Sequence, residues 1–362
     1  MPANVCVIGY GLSAKVFHIP YILLTPGLHL HSILQRNPTP ENDAARDHPG
    51  VKVHPSLEAV CADPEIRLVI VGTSNAQHYP MTKALLEAGK DVAVEKPFTV
   101  KPEEGDELCA LAKEKVRLLT VFHNRRFDAD FLTLRRLIAA NTFGQIVSFE
   151  THFDRYKAPG AAKKDSWKTQ AVAGNGILFD LGSHLLDQAL TLFGLPDRVF
   201  ASVRDERQNS SEPKAQWGED GFLDDAFDAM LFYDSGLVVK LVANATSLCE
   251  RQIRYIVRGT EAGYVKHGLD LQEDQTKAGM APSDPKFGVE TEEHWGVLTT
   301  PQGSKKVKSE DGVYIKWFQN LSDALEGKAE IEVKPEQAAN VVRLLTLMGQ
   351  SSREKRVLDV AK

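Results

Sequence analysis

Near its start the chain reads Val5-Cys6-Val7-Ile8-Gly9-Tyr10-Gly11-Leu12-Ser13-Ala14. Four apolar residues read as a buried strand, and the run stops at Gly-x-Gly-x-x-Ala. Gly9 permits a tight turn, and Gly11 lets the backbone approach a ligand with no Cβ in the way. Ala14 allows the following helix to pack close to the strand. The start of that helix offers free N–H groups and a positive dipole end to a phosphate. Alone the motif is weak; its setting decides whether it marks a dinucleotide site.

The setting is that of alternating strands and helices. A helical stretch over 15–24 leads to a second apolar strand over 29–36, and a third runs through Leu68-Val69-Ile70-Val71-Gly72. A fourth is Asp91-Val92-Ala93-Val94 and a fifth spans 117–122, with helices expected over 80–88 and 102–115. Short loops between such elements predict a doubly wound parallel sheet. Ligands bind beyond the carboxyl ends of its strands. Gly9, Tyr10, Gly11, Leu12, Ser13, Arg36, Thr73, Ser74, Asn75, His78, Glu95, Lys96 and Asn124 all fall there and are the expected cofactor residues, with Asn75 and His78 placed on a loop. The second strand ends in Gln35-Arg36, with no carboxylate until Glu41. A carboxylate at that place would bond an adenosine 2′-hydroxyl, whereas an arginine accommodates a 2′-phosphate. NADP is therefore expected over NAD.

Length and composition bound the rest. The 362 residues suffice for two domains, and 43% hydrophobic with 25% charged residues is ordinary globular composition. A net charge of −6 offers no basic excess for a nucleic acid or an anionic membrane. The densest basic run, Lys305-Lys306-Val307-Lys308, reads as a solvated hairpin. Cys6, Cys61, Cys109 and Cys249 form no Cys-x-x-Cys pair, which fits free thiols in a reducing compartment. The histidines show no metal-like cluster at helical spacing, and no metal site is expected. With no apolar stretch approaching about 18 residues and a strand almost at once, neither a membrane span nor a signal peptide is expected, and a cytoplasmic enzyme is the default.

From about Gly144 the pattern changes. The stretch 146–153 alternates as a half-buried strand, and 222–233, 237–245 and 254–258 follow with a hairpin turn at Asp234-Ser235-Gly236. This texture predicts a mainly antiparallel sheet. Helical character over 176–192 places Asp180, His184 and Asp187 at i, i+4 and i+7, on one helix face. Histidine is suited to take or give a proton near neutral pH.

At Glu95-Lys96-Pro97 the chain resembles the glucose–fructose oxidoreductase/inositol dehydrogenase (Gfo/Idh/MocA) family over its whole length. The matching segments include the glycine turn, His123-Asn124-Arg125-Arg126-Phe127, and Gly174 to Asp187 with its Asp180-x-Gly-x-His184 core. Further ones are Asp154-Arg155-Tyr156 and Gly263 to Asp274. The nearest subgroup is that of NADP-dependent scyllo-inositol 2-dehydrogenases. The resemblance implies an α/β chain with an N-terminal Rossmann domain over 1–123. It implies an α+β domain with a large, mainly antiparallel sheet over 124–334, and a C-terminal helix over 335–362 packing back on the first domain. It also implies a homo-dimer or homo-tetramer through that sheet, and hydride transfer between NADP and a polyol or sugar. Lys96, Asp180 and His184 are then the expected catalytic residues. Arg126, Arg155, Tyr156, Trp167 and Lys168 are the expected substrate residues. Two other readings stay open: an NADP-binding transcriptional regulator without catalysis, and an aldose 1-dehydrogenase or carbonyl reductase.

Overall fold

The apolar segments of the first third of the chain come together as six parallel strands. They are β1 (Ala3–Ile8), β2 (Leu28–Leu34), β3 (Lys52–His54), β4 (Leu68–Val71), β5 (Asp91–Val94) and β6 (Leu119–Val121), in the order β3-β2-β1-β4-β5-β6. The computed structural model describes residues 1–158, 170–207 and 223–361. Every residue of β4 and β5 is buried, as a parallel sheet covered on both faces requires. The strand order reverses between β1 and β4, the switch point beyond which α/β sheets take their ligands. Cys6 on β1 is fully enclosed, and burial pushes its thiol up to about 12, so it is inert.

Two helices differ from the sequence expectation. The stretch after the glycine turn is a wide, π-type helical turn over Ala14–His18 followed by a short helix Ile19–Leu24. The helix expected at 80–88 begins earlier and runs over Asn75–Glu87. Pro80 reads in sequence as the opening residue, because proline suits the first helical turn. Here it sits inside the helix, at the loss of one backbone hydrogen bond. Asn75 and His78 consequently lie on a helix start rather than on a loop.

The chain forms two compact units that interleave along the sequence. The first comprises Met1–Phe127, Gln272–Phe287 and Val313–Ala339; the second comprises Asp128–Leu271, Gly288–Gly312 and Asn340–Lys362. The returning segments complete the first unit. Trp317 meets Phe122 edge-on and Phe318 packs against it at a tilt, with ring centroids 4.8 and 5.7 Å away, and Phe318 lies parallel to Tyr21 at 5.2 Å. Trp317 Nε1 donates to the Val121 carbonyl at 3.3 Å, and Thr120 Oγ1 donates to that of Val333 at 2.8 Å.

The second unit is built on nine strands. β7 (Ile146–Asp154), β8 (Arg198–Arg204), β9 (Ala226–Phe232), β10 (Val238–Asn244) and β11 (Ile253–Gly259) are joined by β12 (Gly263–His267), β13 (Gly296–Thr300), β14 (Gly303–Val307) and β15 (Leu358–Asp359). The order is β14-β13-β12-β11-β7-β10-β9-β8-β15, antiparallel throughout except for the β7–β10 pair. The expected Asp234-Ser235-Gly236 hairpin turn joins β9 to β10, with Gly236 at φ +87. Lys305 and Lys306 lie on exposed β14.

Helix Gly182–Phe193 lies on this sheet, with Phe193 against Phe149 at 5.3 Å. A buried polar network fixes it. Arg254, fully enclosed, donates to Asp130 Oδ2 at 2.7 Å and to Gln188 Oε1 at 2.8 Å, and the Tyr255 hydroxyl donates to the same Gln188 oxygen at 2.9 Å. Removing one partner strands a buried charge. Arg254→Met is expected to lower the unfolding free energy by roughly 3–5 kcal/mol in urea melts, with Asp130→Leu in that background recovering part of the loss.

Candidate functional site

In the first unit the glycine turn is fixed by backbone contact. Gly9 adopts φ +93, and a Cβ there would stand 2.4 Å from the Gly72 carbonyl oxygen. Its N–H donates to Leu34 at 3.1 Å, while the Gly72 N–H donates to Ile8 at 2.9 Å, so the ends of β2, β1 and β4 are tied together. Gly11 differs: a Cβ added to it would meet nothing within 4 Å. No neighbour among the described residues demands glycine there, and among them the space is open at the start of the helical turn. Ser13 immediately precedes the helical turn and Leu12 is exposed. These features fit a bound pyrophosphate.

Tyr10 is buried beside the turn. Its hydroxyl donates to Asp47 Oδ2 at 2.9 Å, and the Lys15 ammonium lies 4.3 Å from its ring centre. Hydrogen bonds from Arg46 and Tyr10 hold the Asp47 carboxyl down at about 2. Gln35 is spent on structure, donating to the Asn42 carbonyl at 2.7 Å and accepting from the Ala44 N–H at 2.8 Å. Arg36 is exposed at the end of β2. Thr73, Ser74 and Asn75 are half-buried after β4.

The Glu95-Lys96-Pro97 turn follows β5. His78 is fully buried, and its Nδ1 lies 2.7 Å from the Pro97 carbonyl oxygen, so it supports the turn that carries Lys96. Burial holds the His78 imidazole below its ordinary range, which makes the ring a neutral donor to that carbonyl. Glu95 accepts from the Ser13 hydroxyl, from His18 Nε2 at 3.0 Å and from the Lys96 backbone N–H at 3.1 Å. Asn124 is buried in the turn after β6. Arg126, expected as a substrate ligand, is also buried. Its Nη1 donates to the Glu332 carbonyl at 3.3 Å and to Gln337 Oε1 at 3.0 Å, which gives it a packing role. His31, Asp63 and Glu65 bring ligand-type atoms within 4.8 Å of one another, a grouping of one β2 residue with the loop that precedes β4 rather than one of helical spacing. Lys52 already bonds Asp63 at 2.6 Å.

The second unit carries Asp180 and His184, across a break in the expected single helix. A short turn Ile177–Asp180 ends at Leu181, and helix Gly182–Phe193 begins there. The first turn is held by Asp224, whose carboxylate accepts from the Leu178 N–H at 2.6 Å. Asp224 lies so close to Gly176, at φ +93, that a Cβ there would stand 2.0 Å from its Oδ1. His184 is buried, with its ring 6.3 Å from that of Phe153 and nearly parallel to it. Arg155 Nη2 lies 3.4 Å from Asp180 Oδ2, and its guanidinium covers the Phe153 ring at 5.5 Å. Tyr156 is half exposed, whereas Trp167 and Lys168 lie outside the described residues.

Residues 3–123 match the oxidoreductase family's NAD-binding Rossmann fold (GFO_IDH_MocA), and residues 135–360 match its C-terminal alpha/beta domain. The chain belongs to the Gfo/Idh/MocA oxidoreductase family. It is 39% identical to the uncharacterized oxidoreductase YdgJ of Escherichia coli (strain K12), over 99% of each chain. It is 34% identical to the scyllo-inositol 2-dehydrogenase (NADP(+)) IolW of Bacillus subtilis (strain 168), over 98% of this chain and 95% of that protein. Among solved structures, an oxidoreductase from Bacillus cereus superposes with a TM-score of 0.86 at 30% identity, covering 99% of both chains.

As a Gfo/Idh/MocA oxidoreductase the protein uses its first unit for a nicotinamide cofactor. Sequence reading missed His18 and Asp224, which hold the glycine turn and the Asp180 turn. His18 had only its place four residues after Ala14 to mark it, and Asp224 had no local signal. Gly9→Ala is expected to destabilise the fold by about 1–3 kcal/mol, because both its backbone and its Cβ position are strained. Gly11→Ala should melt like the wild type yet bind the nicotinamide cofactor more weakly, measured by thermal unfolding and by fluorescence titration of the two variants with NADPH and with NADH.

Proposed function

We propose that this oxidoreductase is an NADP-dependent dehydrogenase of a cyclic polyol or sugar, of the scyllo-inositol dehydrogenase type. The observation that carries the reading is the full-length identity of 34% to IolW, whose name gives both NADP and an inositol. Arg36, with no carboxylate beside it at the end of β2, supports NADP by its charge. When bound, the nicotinamide accepts a hydride from the alcohol carbon.

The chain supplies the proton chemistry and the orientation. His184 takes the hydroxyl proton as the carbonyl forms and returns it in the reductive direction. Lys96 donates a hydrogen bond to the reacting oxygen, and its charge favours oxygen with developing negative character. Asp180 orients the substrate or the histidine. Arg155 and Tyr156 supply donors to the remaining hydroxyls, and Trp167 and Lys168 belong to the same proposed set. An aldose 1-dehydrogenase or carbonyl reductase would use the same residues. A regulator without turnover would not need Lys96, Asp180 and His184 together. We further propose a homo-dimer or homo-tetramer through the nine-stranded sheet, in the cytoplasm, where four free cysteines suit a reducing medium.

NADP⁺ offered with inositols, aldoses and uronates should yield reduced nicotinamide absorbance on at least one polyol or sugar. His184→Ala is expected to lower kcat by roughly 10²–10⁴-fold. Turnover on none of these alcohols, with NADPH still bound, would overturn the substrate class. Arg36→Glu should shift the preference from NADPH to NADH, read as the ratio of the two dissociation constants; an unchanged ratio would remove Arg36 from cofactor choice.

A further inference from the structure

One buried pair stands behind both turns of the first unit. His18 closes the wide helical turn that begins at Ala14 and is fully enclosed. Its ring lies 4.6 Å from that of Phe122 and 6.2 Å from that of Phe318. Gly72 backs it, since a Cβ there would stand 4.0 Å from the imidazole Cδ2. Such apolar walls disfavour a polar ring unless it is hydrogen-bonded. Its Nε2 meets that need on Glu95 Oε1 at 3.0 Å, with the Glu95 side chain only 13% exposed.

Glu95 is shared between two pieces of backbone. Oε1 also accepts from Ser13, at the start of the helical turn, and Oε2 accepts from the Lys96 N–H at 3.1 Å. The charged or titratable groups that face it are His18, Lys96 and His78. Burial pushes the Glu95 carboxyl up, but the bond and charge of His18, the Ser13 hydroxyl and the Lys96 charge together bring it down to about 2. The group is therefore ionised at any working pH. A carboxylate beside a turn that takes an anionic pyrophosphate repels its ligand unless its charge is held by local donors.

We propose that His18 is the positioning residue of the cofactor turn: by holding Glu95 it locks Ser13 and the Lys96 backbone together and keeps a buried carboxylate from opposing the cofactor's phosphates. The inference rests on the cofactor reading of the Gly9–Ala14 turn. It assigns His18 no contact with cofactor or substrate. Loss of the Nε2 donor leaves burial less opposed, so Glu95 then titrates closer to neutral pH.

The test is a fluorescence titration of the full-length protein with NADPH at pH 8 and pH 5.5. It compares the wild type, His18→Phe, His18→Leu, and each His18 variant combined with Glu95→Gln. Phenylalanine and leucine fill the same aromatic pocket in two ways, so either folded variant gives the reading. We expect the single variants to bind roughly tenfold more weakly at pH 8 and to approach wild type at pH 5.5, as Glu95 takes up a proton. The wild type at both pH values is the reference against which each variant's pH dependence is read. Adding Glu95→Gln should abolish the pH dependence that the His18 substitution introduces and recover part of the affinity lost at pH 8. A folded single variant that binds as wild type at both pH values would overturn the inference. So would equal losses in single and double variants without pH dependence, since those mark packing alone. Failure of the wild type to bind NADPH or NADH would instead overturn the cofactor reading, and the role of His18 with it.

Discussion

The close approach of two backbone turns, Gly9 against the carbonyl of Gly72, is the constraint on which the first unit depends. No side chain fits between them, so β1 and β4 end at the same level and the strand order can reverse at that seam. Parallel pairing brings the ends of β2, β1, β4 and β5 to one edge of the sheet, and the reversal opens a crevice there. That edge is where Arg36, Thr73 and Lys96 were expected from the sequence. A fold of this kind locates its ligand by topology before any ligand-binding side chain is considered. The side chains refine what the crossing of strands has already placed.

Much of this was legible because it is local. A glycine turn after an apolar run, and β-rich segments separated by short helical stretches, carry their meaning within ten or fifteen residues. Five of the six strands accordingly lie close to where periodicity put them, whereas the three-residue β3 carried no such signal. The start of helix Asn75–Glu87 was not legible, because Pro80 obeys a local preference that tertiary packing overrides. The grouping of His31 with Asp63 and Glu65 was hidden for a related reason. Neighbours across strands and loops leave no spacing in the sequence.

The candidate site shows the same division. The residues proposed for the chemistry, Lys96 and His184, announced themselves through short motifs. Their supports did not. His78 looked like a cofactor residue and is a buried prop for Pro97. Arg126 looked like a substrate ligand and clamps Glu332 and Gln337. Asp224 lies more than forty residues from the turn it caps, so only the folded chain joins them. Buried polar groups must find partners, and the partners they find are set by three-dimensional packing rather than by proximity in the chain.

The interleaving of the two units has a consequence for the order in which the chain can mature. When a ribosome has released the first 127 residues, the parallel sheet is complete in its strands, but Phe122 and Tyr21 still lack Trp317 and Phe318. Those aromatic rings would face water until nearly two hundred further residues had been made. The nascent first unit therefore carries an uncovered apolar face through most of synthesis, the state in which chains meet chaperones or one another. A cut at a single linker would not release either unit intact, because neither is a continuous stretch of chain. The protein has two compact bodies in space and, for the purposes of biogenesis, a single indivisible piece of sequence.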